Sequence, residues 1–207
     1  MPDLNFNVEN AEALRFAAAP HILFKLRIRN TGDEAIHSVI LQCQIQLDVG
    51  RRHYSDDEKE RLRDLFGEPA RWSQTLRSML WTTTTVVVPA FEEEASVKLQ
   101  VPCTFDFNVA ATKYFAGLND GDIPVSFYFN GTIFYAKADG GVQVAQISWD
   151  KEGQYRLPVR VWKEMMDIYY PNTRWLCLRS DAFERLYRYK VRHGLPTFEQ
   201  VMETVFQ

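Results

Sequence analysis

The sequence predicts an α+β fold, an antiparallel β-sandwich carrying a helical insert at about 55–80 and followed by a C-terminal helical subdomain packed on it. Three observations predict it. Apolar and polar residues alternate with period two through much of the first 150 positions, as in strands with one buried face. A Ser-Asp-Asp-Glu capping box at Ser55–Glu58 opens a charged stretch bearing Leu62, Leu65 and Phe66. Beyond about residue 155, apolar side chains recur at helical spacing. The expected organisation is therefore 1–154 for the sandwich with its insert and 155–207 for the helical subdomain.

Leu4 to Val8 alternates, and Leu14 to Ala18 extends that strand or pairs with it. Ile22 to Asn30 carries the clearest pattern, with Phe24, Leu26 and Ile28 inward and Lys25, Arg27 and Arg29 toward water. The Asn30-Thr31-Gly32-Asp33 turn leads into Ile36 to Leu47, so the two segments read as an antiparallel pair. Long alternating strands joined by such a turn recur in immunoglobulin-like sandwiches, and that architecture is expected here without the Cys and Trp framework of antibody domains.

Within the insert, one helix ends near Gly67 and a second runs from Pro69 to Leu80, with Trp72, Leu76 and Met79 on one side. Strands return at Thr82–Val88 and Ala95–Val101, and a short helix is expected at Val109–Leu118. Ile123–Lys137 is a strong strand bent at Asn130-Gly131. An Asp139-Gly140-Gly141 turn and Val142–Trp149 complete a hairpin. A helix from Pro158 to Tyr170 presents Val161, Trp162, Met165, Ile168 and Tyr169 on one face and ends at Pro171-Asn172. Another runs from Ser180 or Asp181 to His193 with Gly194 beyond it, and Thr197-Phe198-Glu199-Gln200 caps the last.

Composition bounds the function. With 207 residues, 46% hydrophobic and 25% charged, the chain can bury its own core. A net charge of −3 argues against a nucleic-acid binder, whose affinity rests on cations that release counterions. Cys43, Cys103 and Cys177 lie far apart and are expected as buried, reduced thiols. The N-terminal residues lack signal-peptide character and no apolar run reaches the roughly 20 residues of a membrane span, so a cytoplasmic protein without a transmembrane segment is expected.

The sequence contains no GxGxxG, P-loop, GxSxG or HExxH. No catalytic, cofactor-binding or metal-binding residue is therefore assigned, no cofactor is expected, and the chain reads as no enzyme. His21, His37, His53 and His193 stand in separate segments, the last suited to a helix C-terminus. Glu92, Glu93 and Glu94 read as a solvated edge, and Asp120 and Asp122 as parts of a turn rather than a calcium loop. A metal site built from His37, Cys43 and Cys103 would require all three to converge in the fold.

Two features point to recognition. From Arg156 to His193, arginines and lysines interleave with aromatics: Arg156, Arg160, Lys163, Arg174 and Arg179, then Arg185, Arg188 and Arg192. The aromatics fall on apolar helix faces and read first as core, with the arginines as a solvated side. The same composition suits a protein interface and, less well, stacking on bases. The second feature is the insert, whose Phe66, Trp72 and Trp81 either cap one end of the sandwich or, with Trp72, join a partner surface.

Specific strings carry a resemblance: His37-Ser38-Val39 leading into Gln42-Cys43-Gln44-Ile45, Leu65-Phe66-Gly67-Glu68-Pro69 with Arg71-Trp72, and Pro102-Cys103-Thr104-Phe105-Asp106-Phe107 before Lys113-Tyr114-Phe115. With Gly131-Thr132-Ile133-Phe134, Tyr155-Arg156-Leu157-Pro158-Val159 and Tyr170-Pro171-Asn172, the chain resembles an uncharacterised bacterial family encoded beside nickel–iron hydrogenase genes. The resemblance implies an accessory or interaction protein whose partners are hydrogenase subunits or maturation factors. It carries over no catalytic residue. A chaperone-like holder of unfolded chains, using an exposed Met165-Met166 pair, is the alternative.

Overall fold

A computed structural model describes residues 2–136 and 140–206. The chain divides into two compact units, Met1–Asn172 and Thr173–Gln207. The boundary expected at 154/155 falls inside a strand, 18 residues before this division.

The first unit holds two antiparallel sheets. In one, β1 (Leu4–Ala13) and β5 (Glu94–Pro102) flank β2 (His21–Asn30). In the other, β3 (Ile36–Leu47) lies between β4 (Met79–Val88) and β6 (Asp122–Ala136). The far side of β6 is shared by β7 (Val142–Gln146) and β8 (Glu152–Pro158). β2 and β3 therefore do not pair with each other as the sequence suggested. The Asn30–Asp33 turn is a corner between sheets, where the Asn30 side chain donates to the carbonyls of Glu34 (2.8 Å) and Glu92 (3.1 Å). Local alternation specifies a strand and its buried face but not its neighbour.

The inward faces meet through aromatic rings. Phe24 of β2 sits 5.1 Å from Phe127 of β6, 6.0 Å from Trp81 of β4 and 6.0 Å from Tyr155 of β8, all edge to face. Phe6 stacks on Phe129 at 4.3 Å. Such pairs add about 0.5–1.5 kcal/mol beyond their area. β8 was missed in the sequence because Gly153 and Pro158 dilute its alternation, although Tyr155 and Leu157 point inward. Leu14 to Ala18, expected to extend β1 or pair with it, forms no strand. The Tyr169 hydroxyl donates to the Leu14 carbonyl (2.7 Å) and accepts from the Ala17 amide (3.0 Å), fixing that segment instead.

Helices close one end of the sandwich. α1 (Asp56–Phe66) begins at the predicted capping box, with Ser55 and Glu58 bonded reciprocally. The second insert helix is shorter than expected: a 3-10 turn at Pro69–Arg71 and a single turn α2 (Trp72–Thr75), because β4 starts at Met79. α3 (Val109–Gly117) carries Tyr114 and Phe115 into the core. α4 (Val159–Tyr169) packs against β1, β2 and β8, with Trp162 stacked 5.6 Å from Phe115. Met165 and Met166 are buried there, so the exposed methionine pair expected for a chaperone-like surface does not exist. A helix covered on more than one side buries more than one stripe.

The second unit contains α5 (Ser180–Arg192) and α6 (Phe198–Val205). Gly194 adopts positive φ after α5, and Thr197 caps α6 by accepting from the Gln200 amide. Asp139 of the expected Asp139-Gly140-Gly141 turn lies outside the described residues.

Two predictions follow from this packing. A Cβ on Gly131 (φ +141°) would lie 2.0 Å from the Ile40 carbonyl oxygen of the paired strand. Gly131→Ala is expected to cost about 2–4 kcal/mol in urea-monitored unfolding, combining backbone strain with overpacking. The other concerns Glu58, whose carboxylate accepts from Arg52 Nη2 (2.7 Å) and from the Asn119 (2.9 Å) and Ser55 (3.0 Å) amides. Burial raises its pKa, but the two amides and Arg52 outweigh burial and hold it below the usual glutamate range. A depressed carboxylate contributes stability that is present above its unfolded value, near 4.3, and is lost as pH falls through the folded value. Glu58→Gln should lower stability at pH 7 by about 3–5 kcal/mol, leaving Arg52 buried and uncompensated, and should flatten the acid limb of a stability–pH curve.

Candidate partner-binding surface

The predicted basic region divides between the two units. Arg156, Arg160 and Lys163 belong to the first, and Arg174, Arg179, Arg185, Arg188 and Arg192 to the second. Trp72, counted with them in the sequence, is a correction: it is only 7% exposed, lies edge to face with Tyr54 and Phe66, and donates its indole N–H to the Gly67 carbonyl at 3.0 Å. Its role is to cap the sandwich, as Trp81 also does.

In the first unit the cations surround the turn between α3 and β6. Arg156 projects outward from β8 into a cleft of about 340 Å³ that it shares with Arg51, Asp48 and Gln154. Arg160 and Lys163, on the first turns of α4, line a second cleft of about 290 Å³ with Asn119, Asp120 and Asp122. The Arg156–Asp122 contact at 3.5 Å joins the two. Asp48, at the end of β3, is the buried floor of the larger cleft. It accepts from Ser126 Oγ (2.6 Å) and Ser78 Oγ (2.8 Å), with Arg51 at 3.7 Å. Both of its oxygens are thus engaged in holding three strands, which leaves it a structural carboxylate. Arg51, Asp48 and the two serines carried no sequence signal, because only the tertiary fold brings positions 48, 51, 78 and 126 together.

The second unit bears its cations on α5. Arg179 and Arg185 lie 3.2 and 3.4 Å from Asp181, all three exposed, and such surface pairs stabilise little. Phe183 stacks on Tyr187 and tilts against Phe198, over which Lys190 Nζ sits at 5.7 Å from the ring centre. Among the described residues of this unit only Val201 is buried. Leu176, Phe183, Tyr187, Val191 and Phe206 are exposed, the last at 83%. The aromatics of α5 are therefore not the core residues that their spacing suggested.

His37, Cys43 and Cys103 do not assemble. His37 is exposed at the start of β3 beside Ser38, while Cys43 is buried on β3 and Cys103 is buried just beyond the end of β5, which belongs to the other sheet. Burial pushes both thiols up to about 12, which disfavours the thiolate at neutral pH. Cys177, expected to be buried, is exposed. Among the described residues no three His, Cys, Asp or Glu side chains are grouped to hold a metal ion. The turn at Asp120–Asp122 carries Gly121 at φ +77°. No helix among the described residues is long and apolar enough to cross a membrane.

No curated protein matches the chain. Among solved structures it is similar to the CARDB domain of the PF1109 protein from Pyrococcus furiosus, solved in complex with di-metal ions. That likeness has 9% identity and a TM-score of 0.31, over 75% of this chain and 91% of that one. It is also similar to a β-glucosidase from Kluyveromyces marxianus (13% identity, TM-score 0.30, 75% of this chain and 15% of the enzyme). A late embryogenesis abundant protein is similar at 13% identity and TM-score 0.31, over 76% and 73% of the two chains. The chain thus spans most of the CARDB domain but a small part of the β-glucosidase. The model of a family of unknown function, DUF6084, matches residues 1–207, and the chain belongs to that family.

Proposed function

We propose that the protein is a non-enzymatic, cytoplasmic interaction protein, an immunoglobulin-like sandwich that carries a basic, aromatic docking unit for a protein partner. The observation that supports this reading is the composition of Thr173–Gln207. Among the described residues of this unit of about 35, a single side chain is buried, and Phe183, Tyr187, Val191 and Phe206 are left in water beside five arginines. Units this small rarely supply their own core. Exposed aromatics beside arginine are what protein interfaces bury at their centres, because both side chains combine large contact area with polar ends.

Protein is favoured over nucleic acid because Asp181 and Glu184 stand between the arginines and Glu199 and Glu203 follow on α6, carboxylates that would repel phosphates. The matching surface is an apolar groove rimmed by carboxylates. Nickel–iron hydrogenase subunits and their maturation factors are the partners proposed for it, on the sequence resemblance.

The test is affinity purification of the tagged chain from a hydrogenase-expressing host, in parallel with an Arg185→Glu/Arg188→Glu variant. Hydrogenase subunits or maturation factors should accompany the wild type. Recovery should fall at least tenfold for the variant, equivalent to about 1.4 kcal/mol, and should weaken as salt rises. Equal recovery with both chains, or none with either, counts against the proposal.

A further inference from the structure

Helix for helix, the second unit keeps far less of itself out of water than the first. α4, of 11 residues, buries Val159, Val161, Trp162, Met165 and Met166, whereas α5, of 13, buries none, and α6 buries Val201. The ring contacts that join α5 to α6 are between partly exposed groups: Phe183 lies 5.6 Å from Phe198, and Lys190 sits over the same Phe198 ring. The start of α5 adds little. Its N-cap residue, Arg179, makes no side-chain cap hydrogen bond, and the pairs that Asp181 makes with Arg179 and Arg185 are exposed. Residues 173–179, which lead into it, are exposed throughout and belong to no helix or strand.

Isolated helices shorter than about 12–15 residues are marginal in water even in alanine-rich sequences, and in proteins such helices are held by the burial of an apolar face. α5 has 13 residues and α6 has 8. On α5 the apolar side, Phe183, Tyr187 and Val191 at i, i+4 and i+8, is the side left in water. Those three residues are also weaker helix formers than alanine or leucine. Neither local propensity nor packing therefore holds these helices as the core holds α4.

We infer that Thr173–Gln207 is an element that folds as it docks. In the free chain α5 and α6 form and melt on their own, at the low-stability end of the molecule. They become persistent when the protein partner proposed above covers the side bearing Phe183, Tyr187 and Val191. The identity of what covers them rests on that reading, whereas the local instability does not. Ordering and recognition are then one event, and part of the interaction energy goes into forming the helices, so the complex releases more readily than its contact area implies.

Hydrogen exchange followed by mass spectrometry on the full chain, with no partner present, tests this. Hydrogen-bonded amides of α5 and α6 should be protected no more than about tenfold relative to the unfolded chain. Those at the centres of β2, β3 and β6 should be protected at least about a thousandfold. Arg179→Asn, which supplies the missing cap, should raise protection in α5 several-fold and leave the strands unchanged. Val201→Ala should leave the strands as protected as before. In the complex recovered with the tagged chain, α5 protection should rise at least about tenfold. Greater protection of α5 in the free wild type, an α5 that ignores the new cap, strands that loosen in Val201→Ala, or a complex in which α5 exchanges as in the free chain each overturn the inference. Failure of the docking reading shows differently, as no partner recovered, and a well-protected free unit that still recovers its partner refutes the coupled folding alone.

Discussion

Glu58 accepts hydrogen bonds from Arg52, from the Asn119 amide and from the Ser55 amide, and Arg52 in turn donates to the Asp120 carbonyl at 2.7 Å. Two stretches distant in sequence meet there: residues 52–58, which lead from β3 into α1, and the turn from α3 into β6. Both charges are nearly inaccessible to water, which costs several kcal/mol per ion unless every lone pair is used. Both Glu58 oxygens accept, and the same carboxylate completes the capping box, whereas Nε and Nη1 of Arg52 are buried without a hydrogen-bond partner. The insert is thereby fixed to the sandwich end by the group that starts its helix.

Around that pair the aromatic core is continuous. Tyr54, over whose ring Arg52 lies, donates to the Val49 carbonyl and shares a 3.0 Å hydrogen bond with Tyr114. Tyr114 adjoins Phe115, Phe115 adjoins Trp81, and Trp81 meets Phe24 between the sheets. Burial, as the leading cause, drives the Tyr114 hydroxyl well above its ordinary value, so this network stays neutral. The helical end and the two sheets are therefore one packing problem. This explains why Trp72 and Met165, which look available in sequence, are consumed by the core.

What was legible in the sequence follows the range of each signal. Period-two alternation located β2, β3 and β5 and their inward residues, and the Ser55 and Thr197 caps located α1 and α6, because each is a property of a few neighbouring residues. Pairing was not legible: the turn after Asn30 suits a hairpin as well as an inter-sheet corner, and only the packing of Phe24 against Phe127 across the two layers decides it. The exposed state of Phe183 and Tyr187 was also hidden, since helical periodicity marks an apolar face without saying what covers it. The Asp48 cleft had no local signal at all. The uncharged outward rows of β3 and β4 had one in plain view, in the alternate glutamines 42, 44 and 46 and the threonine run 82–85, but that they lie side by side depended on β3 pairing with β4.

The two sheets show that solubility alone does not set surface composition. Both are antiparallel, both bury one face against the same core, and water would solvate charges equally well on either outward side. On β2, lysine and arginines fill that side. On β3, glutamines occupy the equivalent positions with Ile40 beside them. An amide removed from water costs little when its hydrogen bonds are remade across an interface, whereas an ammonium or carboxylate carries a much larger desolvation penalty unless matched by a partner charge. Replacing charge by amide on one sheet and not the other lowers the cost of drying that face alone. On α5, arginine is retained beside the exposed Phe183 and Tyr187, the composition on which the proposed docking to an acidic protein partner rests.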